Sequence, residues 1–137
     1  MLADGRWRIA PEAFVERLAL HRGPEVGLLL VPRRESAWSN SVRFAGSGDE
    51  PVVVLHPNDG SDRGIVTGDW VALTTDHGSL VATVGIDETL RPGAVSVTHG
   101  HPGSLTGTLT SSRVDVDPLT AMPRASGVPV RVDKLGM

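Results

Sequence analysis

The chain has 137 residues and a mass of 14.4 kDa, enough for one domain that buries roughly two-thirds of the surface its unfolded form would expose. It contains no cysteine, which excludes a disulfide framework, a thiolate metal site, an iron–sulfur cluster and a cysteine nucleophile built from this chain. A net charge of −3 argues against a nucleic-acid face driven by bulk charge; no apolar run approaches the ~20 residues of a membrane-spanning helix, and the N-terminus lacks the apolar core of a signal peptide, so a cytoplasmic protein without membrane insertion is expected.

Met1 to Ile9 carries an Asp4-Gly5 turn and then Arg6-Trp7-Arg8-Ile9, which reads as a strand. Pro11 suits the first position of a helix, and Phe14, Val15, Leu18 and Ala19 recur at three- and four-residue intervals, predicting a short amphipathic helix from Pro11 to Leu20 that packs on the main body. Gly23 and Pro24 are its expected cap and stop. Val26 to Val31 is the next strand, buried and closed by Pro32. Arg33-Arg34-Glu35-Ser36-Ala37-Trp38-Ser39-Asn40-Ser41 then forms a polar segment at a strand end. Its arginines, hydroxyls and amide offer donors, and Trp38 offers a flat apolar surface on which a fused heterocycle could rest. The alternative is a solvated loop whose arginines pair with Glu35 and nearby acids. Residues 45–50 read as a surface turn.

From Val52 to His101 the chain is four β-type runs cut by turns at regular spacing. Val52 to Leu55 is a continuous apolar run, the pattern of a strand buried on both faces. Pro57 stops it, and Asn58 and Asp59 are expected to cap a short helical turn; His56 and Asp59 read as structural groups and not as ligands. Trp70 to Thr75 and Leu80 to Ile86 form a hairpin through Asp76-His77-Gly78-Ser79, with Gly78 expected to supply a positive φ. Leu90-Arg91-Pro92-Gly93 turns the chain into Ala94 to Thr98. A second candidate loop follows, Thr98 to Ser112, dense in Gly, Ser and Thr; glycine lets the main chain approach a phosphate or a heterocycle edge closely. His99 and His101 lie two apart and could share a metal on an extended chain, although no third ligand is evident. Val128 to Val132 is the last strand.

The ordered set of an apolar strand, His56-Pro57-Asn58-Asp59-Gly60, Gly64-Ile65, Gly68-Asp69-Trp70-Val71, Gly78-Ser79-Leu80 and Leu90-Arg91-Pro92-Gly93-Ala94-Val95 resembles the C-terminal dinucleotide-binding domain of the bis-molybdopterin oxidoreductases. These are the enzymes typified by dimethyl sulfoxide reductase, periplasmic nitrate reductase and formate dehydrogenase. Leu28 to Arg34 is similar to that family's entry strand and Asp117 to Val132 to its closing strand. The resemblance implies an all-β fold with minor helices, a six-stranded double-psi β-barrel spanning residues 26–137, with residues 1–25 as an N-terminal extension.

It also implies molybdopterin guanine dinucleotide as the cofactor, with its molybdenum or tungsten ligated from another domain. The cofactor would be held by Arg33, Arg34, Trp38, Ser39 and Asn40, by His99, Gly100, His101, Thr108 and Thr110, and by Arg124 and Ser126. The family often carries Asn where this sequence has Gly107, which puts one side-chain contact in doubt. The chain itself would supply neither catalytic residue nor metal ligand, and its partners would be preceding catalytic domains or a large subunit. Two other readings are open. A double-psi barrel can be a stand-alone interaction module, which would need an exposed apolar patch instead of a polar hollow. It can also be a small self-processing enzyme, for which Gly46-Ser47, Gly78-Ser79 and Gly103-Ser104 supply the dipeptide without the surrounding motif.

Overall fold

The computed structural model describes residues 5–6, 10–20, 27–34, 38–39, 42–43, 52–100 and 105–136. Helix α1 is Glu12–Leu20. The strands in chain order are β1 (Leu28–Arg33), β2 (Trp38–Ser39), β3 (Val42–Arg43), β4 (Val52–Leu55), β5 (Trp70–Thr75), β6 (Gly78–Ile86), β7 (Ala94–Thr98) and β8 (Val128–Lys134), with helix α2 (Pro57–Ser61) between β4 and β5. A one-turn 3-10 helix, Thr106–Leu109, lies between β7 and β8. The expected N-terminal strand from Arg6 to Ile9 and the Gly23-Pro24 cap fall outside the described residues, apart from Arg6.

Six strands close on themselves in the order β1-β7-β4-β6-β5-β8, and β8 returns to pair with β1. Two neighbouring pairs are parallel, β1 with β7 and β4 with β6, and the other four are antiparallel. This is the six-stranded double-psi barrel, mostly β with few helices. Closure leaves none of these six strands with a free edge, so the fold needs no edge-protecting device there. The alternation of side chains sets which face is inside. On β8, Val128, Val130 and Val132 point into the core while Pro129, Arg131 and Asp133 are exposed. Leu30, Val53, Leu55, Val71, Leu73, Val95 and Val97 are essentially sealed from solvent. As its continuous apolar run predicted, β4 also buries Val54, and β7 buries Ser96 and Thr98 between its core valines.

Pro32 does not close β1; the strand continues through it to Arg33, with Pro32 opposite Val97. Direction along the strand explains why proline is tolerated. Leu29 donates to Gly93 and Arg33 accepts from His99, so odd-numbered residues face β7, whereas Leu30 accepts from Gly127 on the β8 side. Pro32 therefore directs its missing N–H toward β8, and β8 pairs with β1 only as far as Leu30. The missing donor costs the sheet nothing.

Helix α2 also departs from expectation. Its N-cap is His56, whose Nδ1 accepts the Asn58 N–H at 3.1 Å, with Pro57 at the first helical position. Asp59 serves a different turn, since its carboxylate accepts the Gly93 N–H at 2.8 Å, across 34 residues. Gly93 has a φ of +84°, and its carbonyl accepts from Leu29. One carboxylate thus fixes the turn that launches β7 and sets β7 against β1. Asp59 is a tertiary bridge because the barrel brings the turn before β7 over α2, which no local rule announces.

Candidate functional site

At the end of the barrel where the parallel strands β1 and β7 finish and the chain enters β8, a hollow of about 330 Å³ opens. Pro32 and Arg34 come from the end of β1, His99 from the residue after β7, Thr106, Gly107 and Thr110 from the 3-10 turn and its exit, and Ala125 and Ser126 from the approach to β8. Parallel pairing makes this convergence, because it puts two strand ends, and so two loops, on one side of the barrel. The lining offers one guanidinium, one imidazole and three hydroxyls, with no carboxylate among the described lining residues. Such a surface favours an anionic, hydrogen-bond-accepting ligand.

The 3-10 turn is the floor of this hollow and is built from core and backbone contacts. In a 3-10 helix residues three apart share a face, so Thr106 and Leu109 both turn inward and are buried. The Leu109 carbonyl accepts from the Thr75 hydroxyl at 3.0 Å. The Thr108 carbonyl lies directly against Gly78, where a Cβ would collide with it. Gly78 is therefore a contact glycine; its φ is not among the positive ones, and the hairpin instead turns at Asp76-His77 with the Thr75 hydroxyl accepting the His77 N–H at 3.1 Å. The His99 Nδ1 stands 3.5 Å from the Thr106 hydroxyl, which places the imidazole at the edge of the hollow.

Of the twelve residues singled out from the sequence, Arg34, His99, Thr110 and Ser126 line this hollow together. Arg33 points elsewhere, donating to the buried Thr98 hydroxyl at 3.1 Å between the ends of β1 and β7. Thr108 donates to the Leu105 carbonyl at 2.8 Å on the outer side of the turn. Gly100 lies in the turn after β7 with a φ of +79° and does not line the hollow. The backbone of Trp38 and Ser39 pairs with β3 in a two-stranded hairpin, Trp38 opposite Arg43. Asn40 and His101 lie outside the described residues. Arg124 faces a separate hollow of about 460 Å³ that meets the first at Ser126. Its guanidinium donates to the Gly127 carbonyl and pairs with Asp115 at 3.9 Å, bracing the bend that presents Ser126.

Thr106 and Gly107 also line the wall; the sequence places both in the second candidate loop and marks Gly107 only as the replacement of the family's Asn, without singling out either as a contact. The signal available is Leu109, a lone core-sized residue in an otherwise polar run, which requires the chain there to turn inward and carry its neighbours with it.

The family model described as "Molydopterin dinucleotide binding domain" matches residues 32–129. The chain belongs to the molybdopterin dinucleotide-binding domain family. Its expected place among the dimethyl sulfoxide reductase-type molybdenum oxidoreductases, with molybdopterin guanine dinucleotide as the cofactor class, agrees with the match, and a stand-alone interaction module is not favoured. A Halobacterium salinarum protein named as a catalytic chain of dimethyl sulfoxide reductase is 32% identical over 68 residues, covering 50% of this chain and 8% of the relative. Acetylene hydratase from Pelobacter acetylenicus shares the fold, with a TM-score of 0.69 and 21% identity over 91% of this chain and 20% of that one. The molybdopterin-binding barrel described here thus spans a small part of the length of both.

Proposed function

We propose that the hollow between Arg34, His99, Thr106, Gly107, Thr110 and Ser126 seats the phosphorylated part of molybdopterin guanine dinucleotide within a larger molybdenum or tungsten oxidoreductase. The observation that carries this reading is the meeting of three segments far apart in sequence on one wall that has no carboxylate among its described lining residues. The donor set fits the group. Arg34 offers planar paired donors to a phosphate oxygen, the three hydroxyls orient themselves to whatever acceptor is presented, and Pro32 and Ala125 supply apolar surface for a ring or ribose face. His99, positioned beside Thr106, adds an imidazole edge.

When bound, the cofactor supplies the redox chemistry at its metal; this chain binds, orients and partly desolvates it. Arg33, held on Thr98, and Arg124, held on Gly127 and Asp115, act by fixing the strand ends that carry Arg34 and Ser126. The metal ligand and the substrate contacts are assigned to preceding domains or a large subunit, in a cytoplasmic assembly without nucleic acid or membrane insertion. Among the described residues no helix is long and apolar enough to cross a membrane. Residues 1–25 are read as an extension appended to the barrel of residues 26–137.

Arg34→Ala in the assembled enzyme is expected to lower bound molybdenum and pterin about tenfold or more, the equivalent of one lost charge-assisted contact of about 1.5–3 kcal/mol. The circular dichroism of the chain stays that of the wild type, because Arg34 is exposed and outside the core. Metal analysis giving an unchanged content would count against the proposal.

A further inference from the structure

Of the three hydroxyl residues that line the hollow, only Thr106 is buried, at 5% exposure. Its hydroxyl meets one polar group among the described residues, the Nδ1 of His99 at 3.5 Å. That is long for a hydrogen bond, but a buried hydroxyl with no partner at all is costly. The backbone that carries the imidazole is fixed independently. The His99 N–H donates to the Arg33 carbonyl at 2.7 Å, and the Arg33 guanidinium donates to the neighbouring Thr98 hydroxyl at 3.1 Å. His99 itself is exposed on the wall, and its Nε2 has no partner among the described residues.

Two proton arrangements are open to this pair. If Nδ1 carries the ring proton and Thr106 accepts it, the hydroxyl proton is buried without an acceptor and Nε2 turns a lone pair outward. If Thr106 donates, its proton is satisfied and the ring proton sits on Nε2. Buried donors are left unpaired more rarely than buried acceptors are left under-used, and the second arrangement matches a wall whose charged group, Arg34, also donates. We infer that Thr106 is a positioning residue: by donating to Nδ1 it keeps His99 in the Nε2–H form, and His99 thereby presents an N–H to a phosphate oxygen of the ligand. The inference rests on reading the hollow as the seat of the phosphorylated dinucleotide, where no carboxylate among the described lining residues competes for that proton.

The test uses the 137-residue chain with GDP as the probe, by equilibrium titration, together with nitrogen NMR of the histidine rings, the His99 signals being those that vanish in His99→Gln. The wild-type ring is expected to carry its proton on Nε2; a proton on Nδ1, in a neutral or a doubly protonated ring, overturns the inference. Thr106→Val is expected to weaken GDP about threefold to tenfold, the loss of one neutral hydrogen bond, and Thr106→Ser to restore wild-type affinity. His99→Gln, whose amide nitrogen reaches the place of Nε2, should bind within about threefold of wild type, and His99→Asn, which reaches only as far as Nδ1, should lose about tenfold. In the His99→Gln background Thr106→Val should change the affinity no further; an equal loss in both backgrounds overturns the inference, because Thr106 would then act without the imidazole. Should Thr106→Val fail to fold, His99→Asn against His99→Gln decides alone, since His99 is exposed and outside the core, and equal affinities of those two overturn the inference. If Arg34→Ala weakens GDP while no Thr106 or His99 variant does, the inference falls and the assignment of the hollow stands. No saturable GDP binding to the wild-type chain overturns both.

Discussion

Replacing Gly78 by alanine drives a methyl group into the Thr108 carbonyl oxygen. Backbone cannot swing away as a flexible side chain would, so the variant is expected to lose about 1–3 kcal/mol in urea unfolding, where a hairpin glycine needed only for its φ would leave the 3-10 turn unaffected. Thr75 hydroxyl contacts to Leu109 should weaken with it, visible as faster amide exchange in residues 106–110. Charge at single residues sets the acid limit. Asp69 is held below its ordinary value of 3.8 by the hydrogen bond from Lys134, at 2.7 Å, and then by the Val66 N–H. Asp87 is lowered by the Thr89 hydroxyl and N–H, and Asp117 by the N–H groups of Thr120 and Leu119. A carboxylate whose folded-state pKa is depressed contributes stability above its unfolded value, and that contribution disappears as pH falls through the folded one. Stability is therefore expected to be level near neutrality and to fall as pH drops below about 4. Asp69→Asn should flatten part of that acid limb in urea midpoints measured against pH; an identical slope would show that the Lys134 pair is too exposed to count.

The 3-10 turn Thr106–Leu109 is the element on which the candidate site depends, because it ties a ligand-facing wall to the core through the buried Thr106 and Leu109 and the Thr75 hydroxyl on the Leu109 carbonyl. Leu109 is fully buried among core residues of the barrel. Leu109→Ala is expected to cost about 2–5 kcal/mol and, beyond stability, to release Thr106, Gly107 and Thr110 from their common wall. Urea unfolding checks the first effect and loss of GDP or cofactor binding in a variant still folded checks the second. Residues 98–112 show a limit of reading by composition: the segment carries glycine, serine and threonine and lacks apolar periodicity, so it reads as a loop, and a single leucine makes it part of the core. Helix α1 contrasts with it. Its three- and four-residue spacing did produce a helix, but Phe14, Val15 and Leu18 remain exposed, and Arg17 on it pairs with Asp117 at 3.5 Å. Periodicity reports which face is apolar, not whether that face is covered.

At the scale of the whole molecule, the matched parts of the chain cover 8% and 20% of the length of two proteins it resembles, and the 137 residues alone are expected to show no redox turnover when supplied with cofactor. Turnover of any substrate by the purified chain would contradict this, since among the described residues no cluster of three or more metal-ligating side chains occurs. What the sequence determined alone is local and repetitive: the strands β4, β5 and β7, most of β6 and β8, the turn before β7, the alternation that gives β8 one valine face, and through the ordered turn motifs the family and its barrel. These are legible because period-two patterning and turn chemistry act within a few residues. The tertiary structure decided which polar groups meet. Arg33 and Arg34 are adjacent and chemically identical, yet one is spent on Thr98 and the other lines the hollow. Asp59 bridges to Gly93, Gly78 makes room for Thr108, and Arg124 braces its own bend instead of facing the wall. Arg124 meets partners in its own loop, but the other outcomes depend on how barrel closure brings residues tens of positions apart within about 3 Å of each other, and contacts of that range have no pattern in the chain itself.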